Sequence, residues 1–412
     1  MKSNWETRPL GELVKFSSGG TPSKKNPKYW NGTIPWISAK TMKDERISTS
    51  DLMITEDGLA SGSKLAPIGS LLLLTRGSGL FNGIPLCIVG QPVAFNQDVK
   101  CIESYTDVSN QFIFYWLKSQ EQYLKAKLEV TGIGAGKFDT KFLQGLNVPV
   151  PPKEERDKIV AIVEALSKKI IVNAKINDNL QQQLTAIFRE WFIDAPESAE
   201  WPRGTFADLI DHTISGDWGK DVPTGNYTEM VYCIRGADIP EVKAGNKGKM
   251  PTRFILPKNY AAKKLVDGDI VVEISGGSPT QSTGRAAPVS ESLLGRYDRG
   301  MVCTNFCKAI KPKRGYSMFI YHYWQHLYDA GVFFGYENGT TGIKNLDISG
   351  FIETEEIVLP PFDIVERFDT VCQTIANKVY ANGLENERLA NLRDALLPRL
   401  MSGEIDVASI KI

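Results

Sequence analysis

Two long segments carry apolar residues at a spacing that predicts helices. Residues 153–192 contain neither proline nor glycine, and their apolar positions follow a heptad. The apolar positions of residues 363–400 also follow a heptad, although Gly383 interrupts this segment and Pro398 is expected to distort its last turn. The first stripe contains Val163, Ile170, Leu184 and Trp191 at one core position, and Leu166, Leu180 and Ile187 at the other. The second contains Phe368, Ile375, Leu389 and Leu396, then Val371, Val379 and Leu400.

Both stripes have asparagines near their centres. Asn173 and Asn177 take core positions in the first segment, as Asn382 and Asn386 do in the second. A buried asparagine fixes the register of a helix pair, because only a facing asparagine satisfies its amide. A solvated gap in the seam is the alternative, but either arrangement indicates that the two helices pair. The predicted helix-pair core is Leu166, Ile170, Asn173, Asn177, Leu180, Leu184, Ile375, Val379, Asn382, Asn386 and Leu389.

The predicted lengths set the orientation of this pair. A helix of about 38 residues is about 57 Å long, whereas the link from Phe192 to Trp201 spans at most about 32 Å. The second half of the chain must therefore start near the far end of the first helix, and the second helix must run back. We expect two antiparallel helices that hold two related globular regions apart.

The regions before the two helices repeat one plan. The pattern that starts at Trp5 recurs from Trp201, and an apolar strand followed by a glycine-serine loop occurs at 69–79 and again at 268–278. Upstream of a double proline in each copy, short β-rich runs alternate with turn residues, as in a mixed sheet with long loops. The predicted fold is α/β (α+β). It has two tandem-repeated domains with mixed β-sheets, separated by two long antiparallel coiled-coil helices in a pseudo-twofold arrangement.

Four segments follow from these changes of pattern. They are a first domain at 1–152, a central helix at 153–194, a second domain at 195–362, and a C-terminal helix and tail at 363–412.

Composition and charge narrow the class of protein. The 412 residues are 42% apolar and carry 48 basic and 48 acidic side chains, as in an ordinary globular protein. Zero net charge argues against indiscriminate coating of nucleic acid but allows a local basic face. No apolar run approaches the roughly 18 residues that a membrane span needs, and the N-terminus has no apolar signal core. We therefore expect a cytoplasmic protein.

Motifs for self-contained catalysis are weak. A glycine loop has Thr131 and Phe138 where a phosphate-binding loop needs glycine and Ser/Thr. His322 and His326 have the spacing of a helical metal pair, but Tyr115 stands at the first of these positions in the other copy. We predict no catalytic residue and no metal site. A metal- or nucleotide-dependent enzyme built on the glycine loop or the histidine pair is the alternative.

Basic residues cluster without acidic neighbours. Six lysines and no acid lie between Lys15 and Lys43, and seven basic residues and no acid lie between Lys243 and Lys264. Such runs suit phosphate contacts, although a single run is more often a solvated face. Two runs in corresponding halves of a repeated domain favour a bipartite reader of nucleic acid.

Several of these segments resemble a known family. Residues 19–24 (Gly-Gly-Thr-Pro-Ser-Lys) and 29–38 look like the opening of a target recognition domain in the specificity subunit of type I restriction–modification systems. Residues 234–239 resemble the matching stretch of a second such domain, and the double proline at 151–152 resembles the junction into the helical spacer. Both junctions have Glu-Arg where members often have Glu-Gln, and the first copy lacks the acidic residue that the second retains as Asp238.

The resemblance, which covers essentially the whole chain, implies a subunit without catalytic activity. Each domain would read one half of a split target in double-stranded DNA, and the helices would set the spacing. Two methyltransferase (M) subunits would dock around the domains and helices, bring S-adenosylmethionine and methylate the N6 of adenine. Two restriction/translocase (R) subunits would use ATP and Mg²⁺ to cut unmodified DNA, a phage defence. This chain itself would bind no cofactor.

Candidate DNA contacts lie on loops of both domains. Lys25 and Lys28 suit phosphate, and Arg76 suits the edge of guanine. The first domain offers Lys24, Lys25, Lys28, Tyr29, Ser38, Lys40, Arg76 and Lys137. The second offers Lys220, Arg235, Lys247, Lys249, Arg253, Arg285 and Lys344. The alternative from another class is an adaptor whose duplicated domains bind two identical protein partners and never contact DNA.

Overall fold

The chain forms two compact units. The computed structural model describes residues 5–132, 134–278, 280–339, 343–407 and 410. One unit comprises Met1–Lys168 with Ala390–Ile412, and the other comprises Lys169–Leu389. Each unit thus contains one globular domain together with parts of both long helices. The four segment limits expected from the sequence mark changes of secondary structure, and as domain limits they stay a prediction.

The first domain is a mixed arrangement of short strands and helices. Its strands are β1 (Glu6–Pro9), β2 (Val14–Ser18), β3 (Trp30–Ile37), β4 (Arg46–Ile47), β5 (Met53–Ile54), β6 (Lys64–Ala66), β7 (Leu71–Leu74), β8 (Arg76–Gly77), β9 (Leu86–Val89), β10 (Val93–Phe95), β11 (Val99–Ser104), β12 (Glu129–Val130), β13 (Gly136–Lys137) and β14 (Asn147–Val150). Its helices are α1 (Glu56–Ala60), α2 (Asn110–Ser119), α3 (Glu121–Ala126) and α4 (Thr140–Gln144), and the long helix α5 (Lys153–Phe188) follows.

Four sheets build the first domain. They have the strand orders β2-β11-β7-β9-β4, β5-β3-β10-β6, β12-β13-β8 and β1-β14. All four leucines of β7 are buried, which explains why this strand is apolar throughout instead of alternating. Ser109 caps the N-terminus of helix α2, since its side chain accepts a hydrogen bond from the Phe112 N–H, and the helix buries Phe112 to Leu117 in the same core.

The second domain has its own set of elements. Its strands are β15 (Arg203–Thr205), β16 (Ile210–Ser215), β17 (Glu229–Ile234), β18 (Thr252–Ile255), β19 (Ile270–Glu273), β20 (Ser275–Gly276), β21 (Ala286–Pro288), β22 (Met301–Cys303), β23 (Cys307–Pro312), β24 (Glu337–Asn338), β25 (Lys344–Leu346) and β26 (Glu356–Val358). Its helices are α6 (Ile239–Lys243), α7 (Pro257–Lys263), α8 (Glu291–Leu294), α9 (Ser317–Asp329) and α10 (Ile348–Thr354), and the long helix α11 (Phe362–Met401) follows.

The strand orders of the two domains match. The sheet β16-β23-β19-β21 has the order of β2-β11-β7-β9, and β20-β25-β24 has that of β8-β13-β12. The pair β17 and β22 is parallel, as are β3 and β10, and β15 pairs with β26 as β1 pairs with β14. The structure therefore confirms the internal repeat that the sequence predicts.

Both long helices form, with two differences from expectation. Helix α5 ends at Phe188 and continues as a π-helical turn at Arg189–Ile193, where the sequence predicted one helix to 192. Helix α11 passes through Gly383 without a break. A β-carbon on Gly383 would lie 1.8 Å from the Gly245 carbonyl oxygen, so this glycine permits close approach of two backbones. Pro398 lies in the last turn, and the helix still reaches Met401.

Within Lys169–Leu389 the two helices pair in antiparallel fashion. Asn382 Nδ2 donates to Asn177 Oδ1 at 2.8 Å, and Asn173 Nδ2 donates to Asn386 Oδ1 at 3.0 Å. As residue number rises along α5, the partner's number falls along α11. Asn177 and Asn382 are each 2% exposed, so the seam has no solvated gap at this pair. All residues of the predicted helix-pair core are buried or half-buried.

No helix among the described residues is both long and apolar enough to cross a membrane.

Candidate nucleic-acid interface

Two tryptophans hold the opening loop of the first domain, which is the segment 19–29 between β2 and β3. Trp36 Nε1 donates to the Gly20 carbonyl at 3.1 Å, and Trp30 Nε1 donates to the Ser23 carbonyl at 3.2 Å. The two indoles meet edge to face, with ring centroids 5.4 Å apart. The loop backbone is thereby fixed beside the four-stranded sheet.

The lysines of this loop project into solvent. Lys24, Lys25 and Lys28 are exposed, and none forms an ion pair with another described residue. Lys28 is also placed by its backbone, because its N–H donates to Asn26 Oδ1 at 3.2 Å. Tyr29, next to it, is half-buried. Three unpaired cations on a fixed loop are an arrangement that suits an anionic surface.

The remaining candidates of the first domain lie on a turn and on a ribbon. Ser38 is half-buried in the turn after β3, where its N–H donates to Thr41 Oγ1 at 3.0 Å, and Lys40 of the same turn is exposed. Arg76 and Lys137 are exposed on the three-stranded ribbon of β8, β13 and β12 and lie directly opposite each other.

That first ribbon is anchored to the domain core through Thr75. The Thr75 carbonyl accepts from the Phe138 N–H at 2.9 Å, and its own N–H donates to the Asp98 carbonyl at 2.8 Å. Across the strands the register places Arg76, Lys137 and Glu129 in one row. The sequence could not show this row, because the register joins strands that are far apart in the chain.

In the second domain, Arg253 is a structural residue. It is 5% exposed, its Nε donates to the Trp218 carbonyl at 2.7 Å, and it forms an ion pair with Asp221. Its guanidinium also lies 4.1 Å from the centroid of the Trp218 ring. These contacts leave it little surface for DNA, which corrects its place among the expected DNA contacts. The sequence missed this because Asp221 lies outside the acid-free run.

Three other candidate cations of the second domain contact carboxylates. Arg285 donates two hydrogen bonds of 2.7 Å to Glu273, and this hydrogen bonding raises the pKa of Arg285. Lys344 Nζ lies 2.6 Å from Glu337 Oε2 and 5.1 Å from the centre of the Phe334 ring.

Arg235 is the third of these paired cations. Its Nε lies 2.9 Å from Asp238 Oδ2, and this hydrogen bond raises the pKa of Arg235. The bond also closes the turn after β17, since Asp238 accepts from the Arg235 N–H as well. Arg235 is half-buried.

The last three candidates are lysines with exposed or half-exposed side chains. Lys247 Nζ lies 4.6 Å from the centre of the Tyr297 ring, and Lys220 Nζ lies 5.6 Å from that of Tyr227. Lys249 is exposed. These three stay available to an anionic partner.

The second domain has an equivalent ribbon, made of β20, β25 and β24. Its anchor is the bond from the Leu346 N–H to the Ile274 carbonyl at 2.8 Å. The row that corresponds to Arg76, Lys137 and Glu129 consists of Ser275, Asn345 and Asn338. The sequence signalled the position through the repeated glycine-serine loops, but it did not single out these residues.

The features that favoured an enzyme have other roles in the structure. His322 is buried against Phe188 and Phe368, and burial lowers its pKa to about 3. Among the described residues, no three His, Cys, Asp or Glu side chains are grouped to hold a metal ion. The glycine loop is the tip of a hairpin, where the Thr131 N–H donates to the Ala135 carbonyl at 2.8 Å. Ile133 of this loop lies outside the described residues.

Comparisons with known proteins agree with this architecture. The type I restriction modification DNA specificity domain matches residues 2–182. The MjaIX type I restriction enzyme specificity subunit of Methanocaldococcus jannaschii is 26% identical over 99% of this chain and 95% of its own length. A specificity subunit of Escherichia coli type I restriction enzymes is 31% identical over 47% of this chain and 48% of its own length.

A solved structure supports the fold alone. The crystal structure of a type I restriction–modification S subunit from M. genitalium has a TM-score of 0.52 and 14% identity, and the match covers 97% of this chain and 98% of that one. The chain is therefore similar along nearly its whole length to a type I restriction enzyme specificity subunit, and its residues 2–182 match the specificity domain of that family.

Proposed function

We propose that this chain is the non-catalytic DNA sequence-recognition subunit of a type I restriction–modification complex. Its two domains read the two halves of a split DNA target and direct adenine-N6 methylation and restriction by partner subunits. The observation that carries the proposal is the repeated topology, in which each domain presents a three-stranded ribbon anchored at the same place. Two equivalent readers on one chain suit a target made of two separate parts.

The charge distribution supports a DNA partner. The opening loop of the first domain holds Lys24, Lys25 and Lys28 exposed on a backbone that Trp30 and Trp36 fix in place. Such cations form phosphate contacts that position a duplex without reading its sequence. The sequence would be read by side chains that reach base edges in the major groove.

The partners and cofactors follow from the same proposal. Two M subunits bind S-adenosylmethionine, and two R subunits use ATP and Mg²⁺, while this chain binds none of these in the cytoplasm where it meets its DNA. Helix α5 offers one side for docking, since Ile171, Val172 and Ile176 are exposed by 55%, 40% and 38%. Exposed apolar side chains grouped on one side of a helix favour a protein partner.

A comparison of methylated adenines in cells with and without the gene tests this function. We expect one split motif to lose its methylation when the gene is deleted, because no other subunit of the complex would select that sequence. Retention of every methylated motif in a strain whose methyltransferase subunit is active would refute the proposal.

A titration separates this function from the adaptor alternative. The assembled complex is mixed with duplex DNA at several salt concentrations. We expect the logarithm of the binding constant to fall linearly with the logarithm of salt concentration, as phosphate contacts require. An adaptor that does not contact DNA would give a complex whose binding is unchanged when this chain is replaced by a variant with reversed charges.

A further inference from the structure

The two ribbons differ in the chemistry of one row. In the first domain the row is Arg76, Lys137 and Glu129, and in the second it is Ser275, Asn345 and Asn338. The rows are equivalent because β8 pairs with the central strand β13 of its ribbon as β20 pairs with the central strand β25. In both ribbons the row passes through the residue that precedes a glycine, which is Arg76 in β8 and Ser275 in β20. Those glycines, Gly77 and Gly276, have φ values of 143° and 148°, which favour glycine.

We infer that these rows read bases, with Arg76 selecting guanine in one half of the target and Asn345 selecting adenine in the other. This inference rests on the proposed function and adds residues to it. In the major groove, arginine pairs with guanine O6 and N7, and asparagine pairs with adenine N6 and N7.

The surroundings of Arg76 favour an external partner. Arg76 is exposed and lies directly opposite Lys137 on an antiparallel ribbon, an arrangement in which like charges repel. Lys137 has Glu129 on its other side, but Arg76 contacts no carboxylate among the described residues. An unpaired guanidinium beside another cation is stabilised when an electronegative edge approaches it.

Asn345 is oriented by its neighbour. Ser275 Oγ donates to Asn345 Oδ1, which leaves the amide N–H₂ and the second lone pair of Oδ1 directed away from Ser275. Asn345 is exposed, and the bond holds its amide in one plane. Adenine N7 accepts from such an N–H and adenine N6 donates to such an oxygen, so Ser275 acts as a positioning residue.

The test measures base preference in the assembled complex with its methyltransferase subunits. The complex is bound to a duplex library randomised in both half-sites, and the bound sequences are counted. Arg76→Ala should lower the guanine preference at one position about tenfold or more, and Asn345→Ala should do so for adenine at a position in the other half-site. The exposed residues Arg46 and Asn147, changed to alanine, are the matched controls.

Three further variants separate base reading from a merely structural role. Arg76→Lys keeps the charge but loses the two-pronged geometry, so overall affinity and salt dependence should be retained while guanine preference falls. Ser275→Ala should weaken adenine preference without lowering the melting temperature, and Ser275→Thr should restore it.

The outcomes distinguish this inference from the function on which it rests. If the unaltered complex selects a split motif and both alanine variants select the same motif, the ribbons do not read bases but the function stands. If both variants alter the same half-site, the assignment of one row to each half is wrong. If the unaltered complex shows no sequence preference at all, the proposed function itself fails.

Discussion

On the opening loop of the first domain, three lysines extend into solvent without an ion-pair partner among the described residues. In the second domain, four of the candidate cations contact an acidic side chain instead: Arg235, Arg253, Arg285 and Lys344. The two domains share a sheet topology, and both were expected to use basic residues on DNA. Only the contacts of each side chain distinguish a cation that can bind phosphate from one that stabilises the domain.

The difference has an energetic basis. An exposed lysine adds almost nothing to folding stability, so it is free to contact a polyanion. A cation that satisfies a buried carboxylate, as Arg235, Arg285 and Lys344 do, cannot leave it without a large penalty. Equivalent runs of basic sequence can therefore have different functions in two copies of one fold.

Removal of Arg285 should have the largest effect. Arg285→Ala leaves Glu273, whose side chain is 7% exposed, without its charge partner, so the free energy of unfolding should fall by about 3 kcal/mol. Urea unfolding of the full-length chain measures this. Arg76→Ala in the first domain is the control and should change the stability by less than about 0.5 kcal/mol. Equal losses of stability in the two variants would contradict the comparison.

Acid should destabilise the second unit through His322. Burial lowers the pKa of His322 to about 3, and the charge of Lys243 acts in the same direction, whereas the unfolded chain takes up this proton near pH 6.5. The contribution of His322 to folding stability is therefore fully present above pH 6.5 and is lost as pH falls toward 3. The loss at pH 5 should be about 2 kcal/mol.

A variant at the same position checks this pH effect. The first domain has Tyr115 where the second has His322, so His322→Tyr should remove the His322 part of the acid sensitivity. Urea unfolding at pH 5 and pH 7.5 gives the comparison, with the exposed His212, changed to glutamine, as the control. An unchanged difference between the two pH values in His322→Tyr would show that another group titrates.

Charge reversal on the opening loop should have the smallest effect in free energy and the clearest effect on DNA. Changing Lys24, Lys25 and Lys28 to glutamate should weaken DNA binding by the assembled complex about tenfold or more. It should also reduce the magnitude of the salt slope by about one for each phosphate that the loop no longer neutralises. Folding stability should not change, because all three side chains are exposed.

The matched control carries the same change in charge elsewhere in the first domain. Exposed lysines outside the opening loop serve for this: Lys125, Lys127 and Lys141. If their reversal weakens DNA binding and flattens the salt slope as strongly, net charge and not the opening loop decides affinity.

Much of the helix pair could be predicted from the sequence. The heptad spacing placed Asn177 and Asn382 in the seam, and the link between Phe192 and Trp201 required an antiparallel return. Both follow from local periodicity and chain length, which are properties of a single segment. The structure confirms the pairing of these two asparagines, because Asn382 Nδ2 donates to Asn177 Oδ1 at 2.8 Å.

The candidate interface could be predicted only in part. The run of lysines was visible, but the partner of Arg253 lies 32 residues away and that of Lys344 lies across a hairpin. Gly383 was expected to interrupt its segment, but the helix is continuous there, and the glycine instead leaves room for the Gly245 carbonyl oxygen. Such outcomes depend on which backbones meet, and no pattern along one segment records that.

The sequence alone determined that the chain contains a duplicated domain and two helices that pair, because a repeat and a heptad spacing are patterns along the chain that need no tertiary contact to be seen. The tertiary structure decided which cations remain free and which side chains share a ribbon row. Strand register and carboxylate contacts join distant segments, so Arg76 opposite Lys137, and Ser275 bonded to Asn345, exist only once the sheets have formed.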